Sequence, residues 1–173
     1  MNISFQKATI SQTPLAFELL KKAALRLKSK QIDQWQYWLN PPVEKVEWIN
    51  EGFKNEEFFF IKDASTIIGM FRLMKEDLIY WSEQASPAIY LHSLVIIDEY
   101  TGFQIGRKIL EDVIKEAQQS GFPFFRLDCN AINSQLCSYY ESFGFVKVGE
   151  VQMFHSLNNL YEINLTSSIL NYS

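Results

Sequence analysis

A mostly apolar run, Ala88 to Ile97, leads through the loop Asp98–Ile105 into an amphipathic helix that starts at Gly106. The run is rich in Ile, Val, Leu and Tyr, the composition of a strand. Beyond the loop, Ile105, Ile109, Val113 and Ala117 recur at about one turn, with Leu110 and Ile114 on the adjacent row, as far as about Ser120. A strand feeding a helix through a loop marked by Gly102 and Gly106 commits this part of the chain to a sheet covered by helices.

The remaining elements follow the same logic. Ile3, Phe5 and Lys7 alternate with polar neighbours as a first strand. Thr13-Pro14 reads as an N-cap followed by proline at the first helical position, and Leu15, Leu19, Ala23 and Leu27 continue that helix. Asn40-Pro41-Pro42 is a stop. A second helix runs from Val43 to about Asn50, with Gly52 expected to end it. Phe58–Ile61 and Thr66–Phe71, split by Lys62–Ser65, form a hairpin signal. Phe124–Cys129 is a strand, Asn133 caps a helix carrying Leu136, Tyr140 and Phe143, and Gly144 stops it. Strands from Val146 and over Leu160–Leu165 close the chain. The order is β-α-α-β-β-β-α-β-α-β-β, a mixed α/β (α+β) domain with one central sheet, expected to span 1–173 as a single domain.

Composition narrows the function classes. Of 173 residues, 47% are hydrophobic and 21% charged, enough apolar material for a core and too much for a disordered chain. Lys plus Arg total 16 against 20 Asp plus Glu, a net charge of -4, so there is no global basic field to hold nucleic acid. Two cysteines, Cys129 and Cys137, and two dispersed histidines, His92 and His155, make neither a disulfide framework nor a closed zinc site. No metal is expected. No basic-then-apolar leader opens the sequence, and no apolar run approaches the ~20 residues of a membrane span. A cytoplasmic protein without a membrane partner is expected.

Two segments carry chemistry. A glycine-marked loop at a helix N-terminus directs unpaired N–H groups outward, where the macrodipole adds about half a positive charge. Arg107 and Lys108 stand in that first turn, where cations oppose the dipole unless an anion relieves them. Anion binding and a solvated turn with two surface cations are both consistent with this spacing. The loop matches neither the P-loop nor the dinucleotide fingerprint. The second segment, Asp128 to Phe145, is a polar turn opening a short helix with Tyr140 one turn before its end.

Together these segments resemble the GNAT superfamily of acyl-CoA-dependent N-acyltransferases, most sharply over about Ala88–Gly149. The loop is similar to that family's pyrophosphate motif Gln/Arg-x-x-Gly-x-Gly/Ala, standing here as Thr101-Gly102-Phe103-Gln104-Ile105-Gly106, followed by Arg107. Thr101 replaces the usual Gln or Arg, and Gln104 replaces the first glycine. The later segment resembles Asn-x-x-Asn-x-x-Leu-x-x-x-Tyr-Glu-x-x-Gly-Phe through Asn130, Asn133, Leu136, Tyr140, Glu141, Gly144 and Phe145. The resemblance implies a GNAT-like acyltransferase fold, with a mixed, mostly antiparallel sheet flanked by helices. It implies acetyl-CoA as cosubstrate, held by Leu94, Val95, residues Thr101 to Arg107, Asn133, Leu136 and Tyr140. It also implies direct attack by an amine in a ternary complex, and, by analogy, a homodimer.

On this resemblance Tyr140 protonates the departing thiolate, and the backbone N–H near Leu94, on a bulged fourth strand, stabilises the developing oxyanion. A base must take the amine's proton. His92, on the strand before the loop, is the first candidate, with Glu57 and Glu83 as competitors. Trp35, Trp38 and Glu57 are the acceptor-side candidates, the tryptophans through cation–π contacts. For the tryptophans, core or interface packing is the other reading. The expected enzyme acetylates a primary amine of a small molecule or peptide. The alternatives are a non-catalytic acyl-CoA-binding module with the same fold, and a nucleotide-binding protein with phosphate at Gly102–Arg107.

Overall fold

The computed structural model describes residues 1–102 and 104–166. Its strands are β1 (Ile3–Lys7), β2 (Phe58–Asp63), β3 (Thr66–Met74), β4 (Ala88–Ile96), β5 (Phe124–Asn130), β6 (Val146–Gln152) and β7 (Leu157–Asn164). Its α-helices are α1 (Thr13–Ser29), α2 (Val43–Lys54), α3 (Ile105–Gln119) and α4 (Ser134–Ser142). The strands form one sheet in the order β1-β2-β3-β4-β5-β7-β6. The β4–β5 pair is parallel, in register from Ala88↔Phe124 to Leu91↔Leu127, whereas β1–β2, β2–β3, β5–β7 and β6–β7 are antiparallel. The expected mixed, mostly antiparallel sheet with flanking helices is therefore the observed fold.

Several expected boundaries move by a few residues; β7, for example, runs Leu157–Asn164 rather than Leu160–Leu165. Thr13 is the first residue of α1 rather than its cap, because a 3-10 turn, Ile10–Gln12, precedes it. The Thr13 hydroxyl donates to Ile10 O at 2.7 Å, and Gln12 Oε1 accepts the Thr9 N–H at 2.9 Å. Gly52 does not end α2 but lies inside it. The reason is spatial: a Cβ there would stand 2.6 Å from the Phe58 ring and 2.7 Å from the Arg72 guanidinium.

The contacts group the chain into two compact units, one formed by Met1–Leu73 with His92–Ile105, the other by Met74–Leu91 with the chain from Gly106 onward. In the first, α1 buries Ala16, Leu19, Leu20, Ala23 and Ala24, and α2 buries Ile49 and Phe53. These residues cluster with Phe58, Phe60 and Met70 of the sheet. Small alanines on α1 bring its backbone close to its neighbours. In the second unit Trp81, Ala88 and Tyr90 cluster with Phe124. The buried Arg126 sits among those rings, donating to Glu162 Oε2 at 2.7 Å and to the Tyr90 hydroxyl at 2.8 Å. No helix among the described residues is long and apolar enough to cross a membrane.

Candidate active site

β4 does not keep strand alternation to its end. Ser93 has φ +52, a left-handed conformation inside the strand, so the side chains before and after it leave the regular two-residue repeat. This irregularity lies where the sequence analysis expected a bulge. Leu94 follows it, half-buried, and Val95 is buried in the core cluster of the first unit. What Val95 can offer a ligand is therefore its backbone. β3 accommodates the irregular strand through Gly69, whose α-carbon faces the Val95 carbonyl.

The loop after β4 is fastened at its start. Arg26 of α1 donates to Ile96 O at 2.9 Å and pairs with Asp98 at 2.7 Å. The Tyr100 hydroxyl reaches Asp63 at 3.3 Å. Thr101 closes a 3-10 turn by donating its hydroxyl to Asp98 O at 2.8 Å. The turn that follows is left-handed at Gly102 (φ +87) and again at Gln104 (φ +55). Phe103, expected to bind cofactor, lies outside the described residues. Ile105 then opens the fifteen-residue α3. Beside these left-handed residues the helix N-terminus leaves its first backbone N–H groups without intrahelical partners, a setting that suits an anion. The loop thus fits an anionic, pyrophosphate-bearing group through backbone donors. Gln104, in the place of the motif's first glycine, adopts a left-handed conformation that favours glycine. Arg107 is exposed, pairs with Glu111 at 3.0 Å and lies 5.1 Å from the Phe143 ring.

Asn133 caps α4 as expected: its Oδ1 accepts the Leu136 N–H at 3.1 Å. Such a cap stabilises a short helix by about 1 kcal/mol. Upstream, Asn130 Oδ1 accepts the Ile132 N–H at 3.1 Å, fixing the turn between β5 and α4. Leu136 is half-buried one turn before Tyr140. The Tyr140 ring is buried against Tyr139, Phe145 and Tyr161. Burial pushes its phenol above the ordinary tyrosine value, with smaller contributions from Cys129 and Tyr139. The phenol therefore keeps its proton through neutral and moderately alkaline pH. Beside it, Tyr161 donates to Glu141 Oε1 at 2.8 Å, and the free thiols of Cys129 and Cys137 stand 3.2 Å apart.

In the first unit, His92 is 8% exposed and meets the Trp48 ring edge to face at 5.6 Å. Glu57 is the counter-ion of Arg72: its Oε2 accepts from Nε at 2.9 Å and from Nη2 at 2.5 Å. Trp38 is buried in the core cluster and Trp35 packs against that cluster, which is the packing reading of these rings. Glu83 is exposed in the loop before β4. Sequence reasoning missed Trp48 and Arg72. The available signal was Arg72 itself, a cation in the otherwise apolar run Gly69–Met74, which must find a partner when buried. Among the described residues no group of three His, Cys, Asp or Glu side chains could hold a metal.

A family model described as "Acetyltransferase (GNAT) family" matches residues 24–145. The chain belongs to the GNAT acetyltransferase family. Solved structures agree on the fold. A GNAT-family acetyltransferase from Listeria monocytogenes is 22% identical, with a TM-score of 0.75 and 94% of each chain covered. One from Streptococcus agalactiae is 15% identical, with a TM-score of 0.76, 94% of this chain and 95% of that chain covered. The PaiA N-acetyltransferase of Thermoplasma acidophilum, solved in complex with coenzyme A, is 21% identical, with a TM-score of 0.61 and coverage of 95% and 99%. No curated protein sequence matches. Family membership makes the chain an acyltransferase of a CoA-linked acyl group.

Proposed function

We propose that the protein transfers an acetyl group from acetyl-CoA to a primary amine of a small molecule or peptide, by direct attack while both are bound. The observation that carries this reading is Tyr140, a buried phenol held in its protonated form on a helix capped by Asn133. When bound, acetyl-CoA supplies an activated thioester carbonyl and a thiolate leaving group.

The chain's residues divide the work. The loop from Thr101 to Arg107 holds the pyrophosphate by backbone N–H groups. Asn133, Leu136 and the backbone of Leu94 and Val95 line the arm. The Leu94 N–H, next to the left-handed Ser93, donates to the carbonyl oxygen as negative charge develops there. His92 takes the proton of the attacking amine, a task suited to imidazole near neutral pH. Tyr140 returns a proton to the thiolate. Its raised pKa does not disqualify it, because a thiolate released in the same dry surroundings becomes more basic for the same reason. Glu57 supports this arrangement through Arg72 rather than by meeting the amine.

Thermal unfolding with acetyl-CoA, CoA and ATP added separately tests the donor. A ligand at 100 times its dissociation constant adds about 2.7 kcal/mol of stability. A rise with acetyl-CoA and CoA but not ATP, followed by acetylation in a panel of primary amines, supports the reading. Binding without acetylation of any amine would leave the non-catalytic module, and a rise with ATP alone the nucleotide-binding protein.

A further inference from the structure

Arg72 is 1% exposed, and burying a cation is unfavourable unless its donors find acceptors. The fold places them with care. Two of its nitrogens go to Glu57, while Nη1 donates to the Trp48 main-chain oxygen at 2.9 Å. The guanidinium carbon also stands 4.0 Å from the centre of the Trp48 ring. Trp48 is therefore held twice by one side chain, at its backbone and on its ring face. Gly52, one helical turn further on, makes this possible, since a Cβ there would stand 2.7 Å from the guanidinium.

The indole held in this way meets the His92 imidazole at 5.6 Å and 80°. That contact matters because the second torsion of histidine is broad, so the indole restricts the ring's orientation. The backbone gives less help here than in a regular strand, since the next residue, Ser93, is left-handed. We propose that Trp48 is a positioning residue for His92, its indole held against the imidazole by the buried Arg72–Glu57 ion pair. The inference rests on the reading that His92 takes the amine's proton. Trp48 touches no reacting atom; it limits the directions in which the imidazole nitrogens point.

The test is NMR of the imidazole in the full-length, ligand-free protein, with His155→Gln assigning the two histidines. The wild type is expected to show a rigid His92 ring, with a high order parameter for its carbon-bound protons. Trp48→Leu should lower that order parameter, and Trp48→Phe, which restores an aromatic wall, should raise it again. Arg72→Lys keeps the charge but cannot span Glu57 and Trp48 together, so it should move the His92 signals toward those of Trp48→Leu. Calorimetric titration with CoA should give an affinity within twofold of wild type in the Trp48 variants. A His92 ring whose order parameter stays at the wild-type value in both Trp48→Leu and Arg72→Lys overturns the proposal. If Trp48→Leu does not fold, Trp48→Met makes the same comparison. A His92→Ala variant that acetylates at the wild-type rate would instead overturn the base assignment, which the NMR result does not depend on.

Discussion

A methyl group on the α-carbon of Gly69 would stand 2.2 Å from the carbonyl oxygen of Val95. No side chain fits there, so β3 passes the irregular part of β4 backbone to backbone. Gly69→Ala must push the strands apart, at an overpacking cost of about 2–3 kcal/mol. Urea unfolding should show this loss. Acetyl transfer should fall further than the fraction folded explains, because the Leu94 N–H moves with the strand.

Tyr140→Phe removes one hydroxyl and leaves the ring packed against Tyr139, Phe145 and Tyr161. General acids contribute about 10²–10⁴-fold. The turnover number should fall by at least about 100-fold while the dissociation constant for CoA stays within about twofold. Steady-state kinetics beside calorimetry check it, and unchanged turnover removes Tyr140 from the acid's role.

Gln104 carries a side chain at φ +55, a conformation that costs an L-residue roughly 1–2 kcal/mol. Gln104→Gly should relieve part of this strain and bind CoA at least as tightly. Gln104→Val, β-branched, should lose about 1 kcal/mol of stability or more and bind CoA more weakly. Equal CoA affinity in all three proteins would mean the loop's shape does not hold the pyrophosphate.

Stability should also depend on alkaline pH. Burial, helped by the neighbouring Cys137 thiol, holds the Cys129 thiol above its ordinary value of 9.0. The unfolded chain therefore loses that proton first. The stabilisation is complete below pH 9 and declines as pH rises beyond it, by about 1.4 kcal/mol per pH unit for each such group. Tyr140 and Tyr161, raised chiefly by burial, join the decline above pH 10. Urea unfolding at pH 8, 9 and 10 should show the fall, and Cys129→Ala should flatten it between pH 9 and 10.

These elements differ in how far the sequence discloses them. α4 was legible because its cap and stop are local: Asn133 bonds three residues ahead, and Gly144 follows the helix with φ +104. The loop was legible as a motif, whereas the left-handed backbone at Gln104 was not, because a residue with a Cβ seldom adopts it. Gly52 misled because a glycine near the end of a helical pattern usually means termination. Here its cause lies twenty residues away in Arg72, and pattern reading does not see tertiary contacts. The same holds for Trp38, whose core position depends on how α1 and α2 pack, and for Glu57, whose partner is on the adjacent strand.

The side chain at Gln104 has a further consequence. A glycine there would leave the unfolded loop free to sample both signs of φ, whereas a residue with a Cβ samples far fewer states. The strain in the folded loop is thus offset in part by a smaller entropy loss on ordering it. The two effects oppose each other, so Gln104→Gly should change the stability of the folded protein by less than the strain alone suggests.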